Sequence, residues 1–110
     1  MTTKEAITLF GYHQRSNLKA RTVQSYHPIL QRFEFRFADR SFDSIGSDEI
    51  YQFLESLTEN LSKSTRRLRY AQLKAFCNFL IEKCNLNMRN PCNAPLLAKA
   101  FNTNLTSNIE

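Results

Sequence analysis

The stretch SKSTRRLRYAQLKAFCNFLIEK, residues 62–83, decides the fold. Ser62 is a good N-cap, no Pro or Gly interrupts the residues after it, and the strong helix formers Leu, Ala, Arg, Lys and Gln recur throughout. A helix from Ser62 to about Lys83 is predicted, the longest of the chain. Its core side is expected to carry Leu68, Ala75, Phe76, Phe79 and Leu80. At 100° per residue, Lys63, Arg67, Tyr70, Lys74 and Asn78 form the opposite stripe, with Arg66 beside it. Arg69 points nearer the core side and suits a structural ion pair.

Working toward the N-terminus, Ser47 is placed to cap a third helix bearing Ile50, Phe53, Leu54 and Leu57, with Asp48 and Glu49 at the positive end of its dipole. The segment from Asp39 to Gly46 reads as a turn. A second helix is expected over Ala20–Ala38, where Val23, Tyr26, Leu30, Phe33 and Phe37 recur every three or four residues. Pro28 lies inside it, removes one intrahelical hydrogen bond and is expected to bend the helix or delay its regular part. Thr3 is expected to cap a first helix carrying Ile7, Leu9 and Phe10, fading between Gly11 and Asn17. After the longest helix, Asn85 to Pro91 stops the pattern, and Pro95–Phe101 is long enough for one short extra helix. The architecture expected is all-α, a compact four-helix bundle. Residues 1–91 would form the domain and residues 92–110 a linker or tail.

Composition fits that architecture. The 110 residues suit one domain, and a hydrophobic share of 42% with nine Phe and four Tyr is enough for a packed core. The net charge of +5 favours a polyanionic partner. Its distribution is more telling. Ser41 to Ser62 contains only acidic charges, at Asp43, Asp48, Glu49, Glu55 and Glu59. Asn60 to Ile81 contains only basic ones, and Ala6 to Phe33 likewise carries only Arg15, Lys19, Arg21 and Arg32. The molecule is expected to have a positive and a negative face, although each cation singly also suits an ordinary solvated helix surface.

The two basic segments echo one another. Leu18-Lys19-Ala20-Arg21-Thr22 and Leu61-Ser62-Lys63-Ser64-Thr65 share the form Leu-x-x-x-Thr, and both open a helix. A helix start offers free N–H groups to a phosphate, Arg and Lys serve phosphate or guanine, and Asn serves adenine. The expected DNA-contacting residues are therefore Lys19, Arg21 and Thr22 on one helix, and Lys63, Ser64, Thr65, Arg66, Arg67, Tyr70 and Lys74 on the other.

Catalytic and metal chemistry find no footing. His13 and His27 have no Cys or carboxylate at ligand spacing, and no phosphate-cradling glycine loop or G-x-S-x-G elbow occurs. Asp48 and Glu49 are better explained as helix-start residues than as an acid–base pair. Cys77, Cys84 and Cys92 lack C-x-x-C spacing and suit reduced thiols in the cytoplasm. No apolar run approaches the ~18 residues of a membrane span. Neither a cofactor nor a metal is expected.

In order and spacing, Arg21-Thr22-x-x-x-Tyr26-x-x-x-Leu30-x-x-Phe33, Ile45-x-x-x-x-Ile50-x-x-Phe53-Leu54, Leu61-Ser62-x-Ser64-Thr65, Leu73-Lys74-x-Phe76-x-x-Phe79-Leu80 and Asn90-Pro91 resemble the N-terminal core-binding (SAM-like) domain of tyrosine recombinases and phage integrases. The resemblance covers roughly Thr3 to Pro91. It implies a helical domain that grips one side of a recombination site during DNA integration or recombination, with double-stranded DNA and other recombinase protomers as partners. In that family a separate domain cuts DNA with a tyrosine nucleophile, helped by arginines and a His-x-x-Arg motif. Ser16 and Leu30 stand three residues after His13 and His27, so neither histidine begins that motif. The chain is accordingly expected to lack catalysis of its own and to be a fragment or truncated relative of a longer recombinase. Lys19, where the family often has a capping Ser or Thr, and Pro28 depart from the pattern. The alternative on the same fold is a SAM-like protein-interaction module that associates head to tail through its two charged faces.

Overall fold

The computed structural model describes residues 1–101, and over them the chain is helical, with no strand beyond an isolated bridge between Thr2 and Ser41. Five α-helices succeed one another: α1 Thr3–Asn17, α2 Ala20–Phe37, α3 Ser47–Thr58, α4 Lys63–Lys83 and α5 Pro95–Phe101. Short 3₁₀ turns at Phe42–Ser44 and Pro91–Asn93 link α2 to α3 and α4 to α5.

Local chemistry sets the boundaries. Thr2, one residue earlier than expected, caps α1: its hydroxyl accepts the Glu5 N–H at 3.1 Å and the Glu5 carboxylate accepts the Thr2 N–H at 2.9 Å. Thr3 is buried, and both its N–H and its hydroxyl donate to the Arg40 carbonyl. The helix does not fade at Gly11, because the burial of Phe10 and Gln14 carries it on to Asn17. Gly46, not Ser47, is the N-cap of α3, and the Glu49 carboxylate accepts the Gly46 N–H at 3.2 Å. Ser62 caps α4 as expected, accepting the Thr65 N–H at 3.2 Å. The helix ends where Asn85 adopts φ 52°, with Leu86 N–H donating to the Ile81 carbonyl and Asn85 N–H to that of Glu82. That double reverse bond satisfies carbonyls the last turn would leave orphaned.

Helix α2 runs unbroken through Pro28 and starts at Ala20, so the proline neither delays nor divides it. The ring sits on the exposed side, and the bond it removes is the one to the Gln24 carbonyl. Lys19 caps α2 without a side-chain hydrogen bond, since an ammonium has no acceptor to offer the first N–H groups.

The core is aromatic, with Phe76 of α4 at its centre. Its ring meets Phe10 at 5.2 Å, Phe42 at 5.8 Å and Phe33 at 5.9 Å, and Phe33 in turn meets Phe53 at 5.1 Å, mostly edge to face. The buried side of α4 is Tyr70, Leu73, Phe76, Cys77 and Leu80. Leu68, expected inside, is 45% exposed, Ala75 is exposed too, and Phe79 lies half-buried between the Phe10 and His13 rings.

Packing does not stop at Pro91. Cys92, Leu97 and Phe101 are buried in the same core, and α5 spans Pro95–Phe101 as predicted. Residues 92–101 are thus part of the domain and not a linker. The reason is apolar burial: Phe101 stacks on Tyr70 at 6.0 Å and meets Tyr51 at 5.8 Å. The tail expected beyond, over 102–110, lies outside the described residues.

Candidate nucleic-acid interface

The geometry of the basic segments depends on how α2 meets α4. Arg69 donates at 2.8 Å to the Ser25 carbonyl and at 2.8 Å to Gln72 Oε1, while Gln72 Nε2 donates to Ser25 Oγ at 2.9 Å. Arg69 is therefore structural, as its direction implied, but its partners are neutral oxygens and not a carboxylate. Further along both helices Phe33 meets Phe76, so the contacts advance in the same sense along α2 and α4. The first turns of both helices precede this junction along their own chains. Lys19 to Thr22 precede Ser25, and Lys63 to Arg67 precede Arg69, each within about 10 Å of rise at 1.5 Å per residue.

At the start of α2, Lys19, Arg21 and Thr22 are exposed, and Lys19 leaves the first N–H groups uncapped by any side chain. Arg15, at the end of α1 just before this turn, adds a further exposed cation, with its guanidinium 5.1 Å from the Tyr12 ring centroid. Arg15 lies outside the contact set expected from the sequence, and the signal for it is the Tyr-x-x-Arg spacing within the first basic segment.

At the start of α4, Lys63 and Ser64 are exposed. The hydroxyls of Ser62, Ser64 and Thr65 form one cluster, with Ser62 Oγ 3.3 Å from Ser64 Oγ and 3.0 Å from Thr65 Oγ1. Arg67 and Lys74 are half-buried, and the Lys74 ammonium lies 5.9 Å from the Tyr70 ring centroid. Among the described residues α4 has no carboxylate before Glu82, and α2 none before Glu34.

Two expected contact residues face elsewhere. Tyr70 is only 2% exposed, and its hydroxyl donates at 2.7 Å to the Cys92 carbonyl, so it cannot reach a duplex. Burial pushes its phenol pKa up, and the neutral donor is retained. Arg66 turns inward and clamps α4 to α3 and α5: it donates to Glu55 at 2.9 Å and to Thr58 Oγ1 at 3.1 Å, and lies 4.9 Å over the Phe101 ring. With that many partners it is unsuited to meeting a phosphate. Asn78, the amide of the predicted stripe, accepts from Asn90 Nδ2 at 2.8 Å. Asn90 also donates to the Lys74 carbonyl and accepts the Cys92 N–H, which fastens the turn after α4 to the helix and gives the Asn90-Pro91 pair a structural meaning.

Among the described residues no three His, Cys, Asp or Glu side chains are grouped to hold a metal ion. The Cys77 thiol, hydrogen-bonded to Cys92 and fully buried, is held well above its ordinary pKa, which suppresses the thiolate that reactivity requires. No helix of the described residues is long and apolar enough to cross a membrane.

Comparison with curated proteins and with solved structures returns no match. A family model described as phage integrase, N-terminal SAM-like domain, matches residues 8–85, from α1 to the αL residue that ends α4. The match covers the N-terminal domain of integrases and no catalytic domain. The chain belongs to the phage integrase N-terminal SAM-like domain family.

Proposed function

We propose that this domain binds double-stranded DNA as the core-binding domain of a site-specific tyrosine recombinase, gripping the recombination site while a separate domain performs the cutting. The reading is supported chiefly by one observation: the starts of α2 and α4, both basic and both free of carboxylates, each lie within two turns of the Ser25–Arg69 hydrogen bond that joins the two helices. Lys19, Arg21 and Thr22 would contact one stretch of backbone, and Lys63, Ser64, Thr65, Arg67 and Lys74 the other. The α2 start suits phosphate because its N–H groups carry no side-chain cap. The proposal includes other recombinase protomers, assembled on the same DNA in the cytoplasm, and membership of an integrase domain family supports it.

The test is a titration of labelled duplex with the full chain at several salt concentrations. Binding through phosphates releases counterions, so affinity should fall steeply, by about 0.9 of log–log slope per phosphate neutralised. An affinity that does not change with salt overturns the proposal.

A further inference from the structure

Phe35 is 91% exposed, although a phenylalanine ring ordinarily takes much of the core area available to it. It stands on α2 between Arg32 and Arg36, and the three line a groove of about 210 Å³ whose other wall is Phe53, Ser56 and Leu57 of α3. The groove has an apolar floor and two halves of opposite character. The α2 half is cationic. The α3 half runs toward the C-terminal end of that helix, where no basic residue stands in the last turn and the helix dipole is negative. Glu59, exposed at the C-cap, lies three residues past Ser56 and so on the same helical face.

Such a surface is complementary to itself. A two-fold axis through the groove would set the Phe35 ring of one copy against Phe53 and Leu57 of the other, and the Arg32 and Arg36 pair against the acidic end of the other α3. Each contact would then occur twice, as an isologous interface requires. We infer that the α2–α3 groove is a homodimer interface centred on Phe35, with a second copy of this chain as its occupant. Phe35 lies about 20 Å along α2 from Lys19–Thr22 at 1.5 Å per residue, so the dimer leaves the proposed DNA face open. The inference does not depend on the DNA reading, and its test contains no DNA.

The experiment is sedimentation equilibrium of the full chain up to about 1 mM, where even a weak dimer is populated. The wild type should move toward twice the monomer mass. Phe35→Ala should associate at least tenfold more weakly, with a melting temperature unchanged at dilute concentrations where the wild type is monomeric, because the ring it removes is 91% exposed in the monomer. Arg32→Glu and Glu59→Arg should each associate poorly alone and recover when mixed, since the reversed charges then meet across the axis. A wild type that stays monomeric at the highest concentration, or a Phe35→Ala chain that associates as the wild type does, overturns the interface. Masses that grow beyond a dimer overturn its two-fold form and favour a head-to-tail array.

Discussion

Arg69 of α4 donates a 2.8 Å hydrogen bond to the backbone carbonyl of Ser25 on α2, and that bond aligns the two helices whose starts carry the exposed cations. Charged donors in partly buried positions contribute about 1.5–3 kcal/mol. Arg69→Ala is therefore expected to lower the unfolding midpoint by several degrees, about 4–8 °C per kcal/mol for a domain of this size. Its DNA affinity should fall with it, because the two starts lose their mutual alignment. Thermal melts and duplex titrations on the same protein check both. A melting temperature equal to the wild type's would show that the Ser25 bond does not hold the helices together.

The exposed cations should behave in the opposite way. Lys19→Ala, Arg21→Ala and Lys63→Ala are each expected to reduce the salt slope of DNA binding by about 0.9 while leaving the melting temperature alone. Tyr70→Phe should leave the slope intact and lower stability by about 1 kcal/mol, since its hydroxyl serves the buried Cys92 carbonyl. Were Tyr70→Phe to weaken binding and the three cation variants to bind normally, the proposed face would be misplaced.

How much of this was legible in the sequence depended on which signal was used. Capping and turn chemistry read well at the last two helices, where Ser62 caps α4, Asn85 ends it and Pro95–Phe101 forms α5, and missed by one residue at α1 and α3, which Thr2 and Gly46 cap in place of Thr3 and Ser47. These are local effects and need no knowledge of neighbours. The face of α4 read less well. Leu68, Ala71, Leu73, Ala75, Phe76, Cys77, Phe79 and Leu80 ring the helix broadly, so periodicity alone admits several rotations. What selects the true one is Phe10, Phe33 and Phe42 closing on Phe76 from three other segments. The fates of Arg66 and Tyr70 came from that rotation and from the Phe101 ring arriving from α5. The cation count was legible; which cations reach solvent was a tertiary outcome.

The start of α3 should make acid stability depend on one carboxylate. Glu49 forms a two-pronged pair with Arg40, at 2.8 and 3.0 Å, and also accepts the Gly46 N–H. Hydrogen bonding to Arg40 first, and to Gly46 second, lowers its pKa from 4.5 to about 2. A folded-state pKa below the unfolded value means that the contribution is complete above pH 4.5 and drains away as the pH falls toward 2. Glu49→Gln should remove the part of the acid-induced loss that falls in this window. Denaturant melts at a series of acidic pH values check it, and an identical pH profile for the variant would mean the pair is not maintained in solution.

Burial assigns very different costs to neighbouring positions on α4. Phe76 is fully buried among Phe10, Phe33 and Phe42, so Phe76→Ala should cost about 3–5 kcal/mol. Ala75, one residue earlier, is exposed, and Ala75→Gln should stay within about 0.5 kcal/mol of wild type. Urea melts distinguish these outcomes, and comparable losses at both sites would mean that α4 is rotated from the orientation described.

The last segment of the described fold offers the sharpest separation between a tail and a structural element. Leu97 is fully buried, and Phe101 is enclosed by Tyr51, Tyr70 and the Arg66 guanidinium. If α5 belongs to the core, Leu97→Ala should cost about 2–5 kcal/mol, and Phe101→Ala a similar amount. The Phe101 change should also loosen the Arg66–Glu55 pair, because the ring shields one side of it from water and screening. A double-mutant cycle of Phe101→Ala with Glu55→Gln would read that coupling as an interaction free energy different from zero. If both single α5 variants melt with the wild type, α5 contributes nothing to the fold, and the domain ends at Pro91 after all.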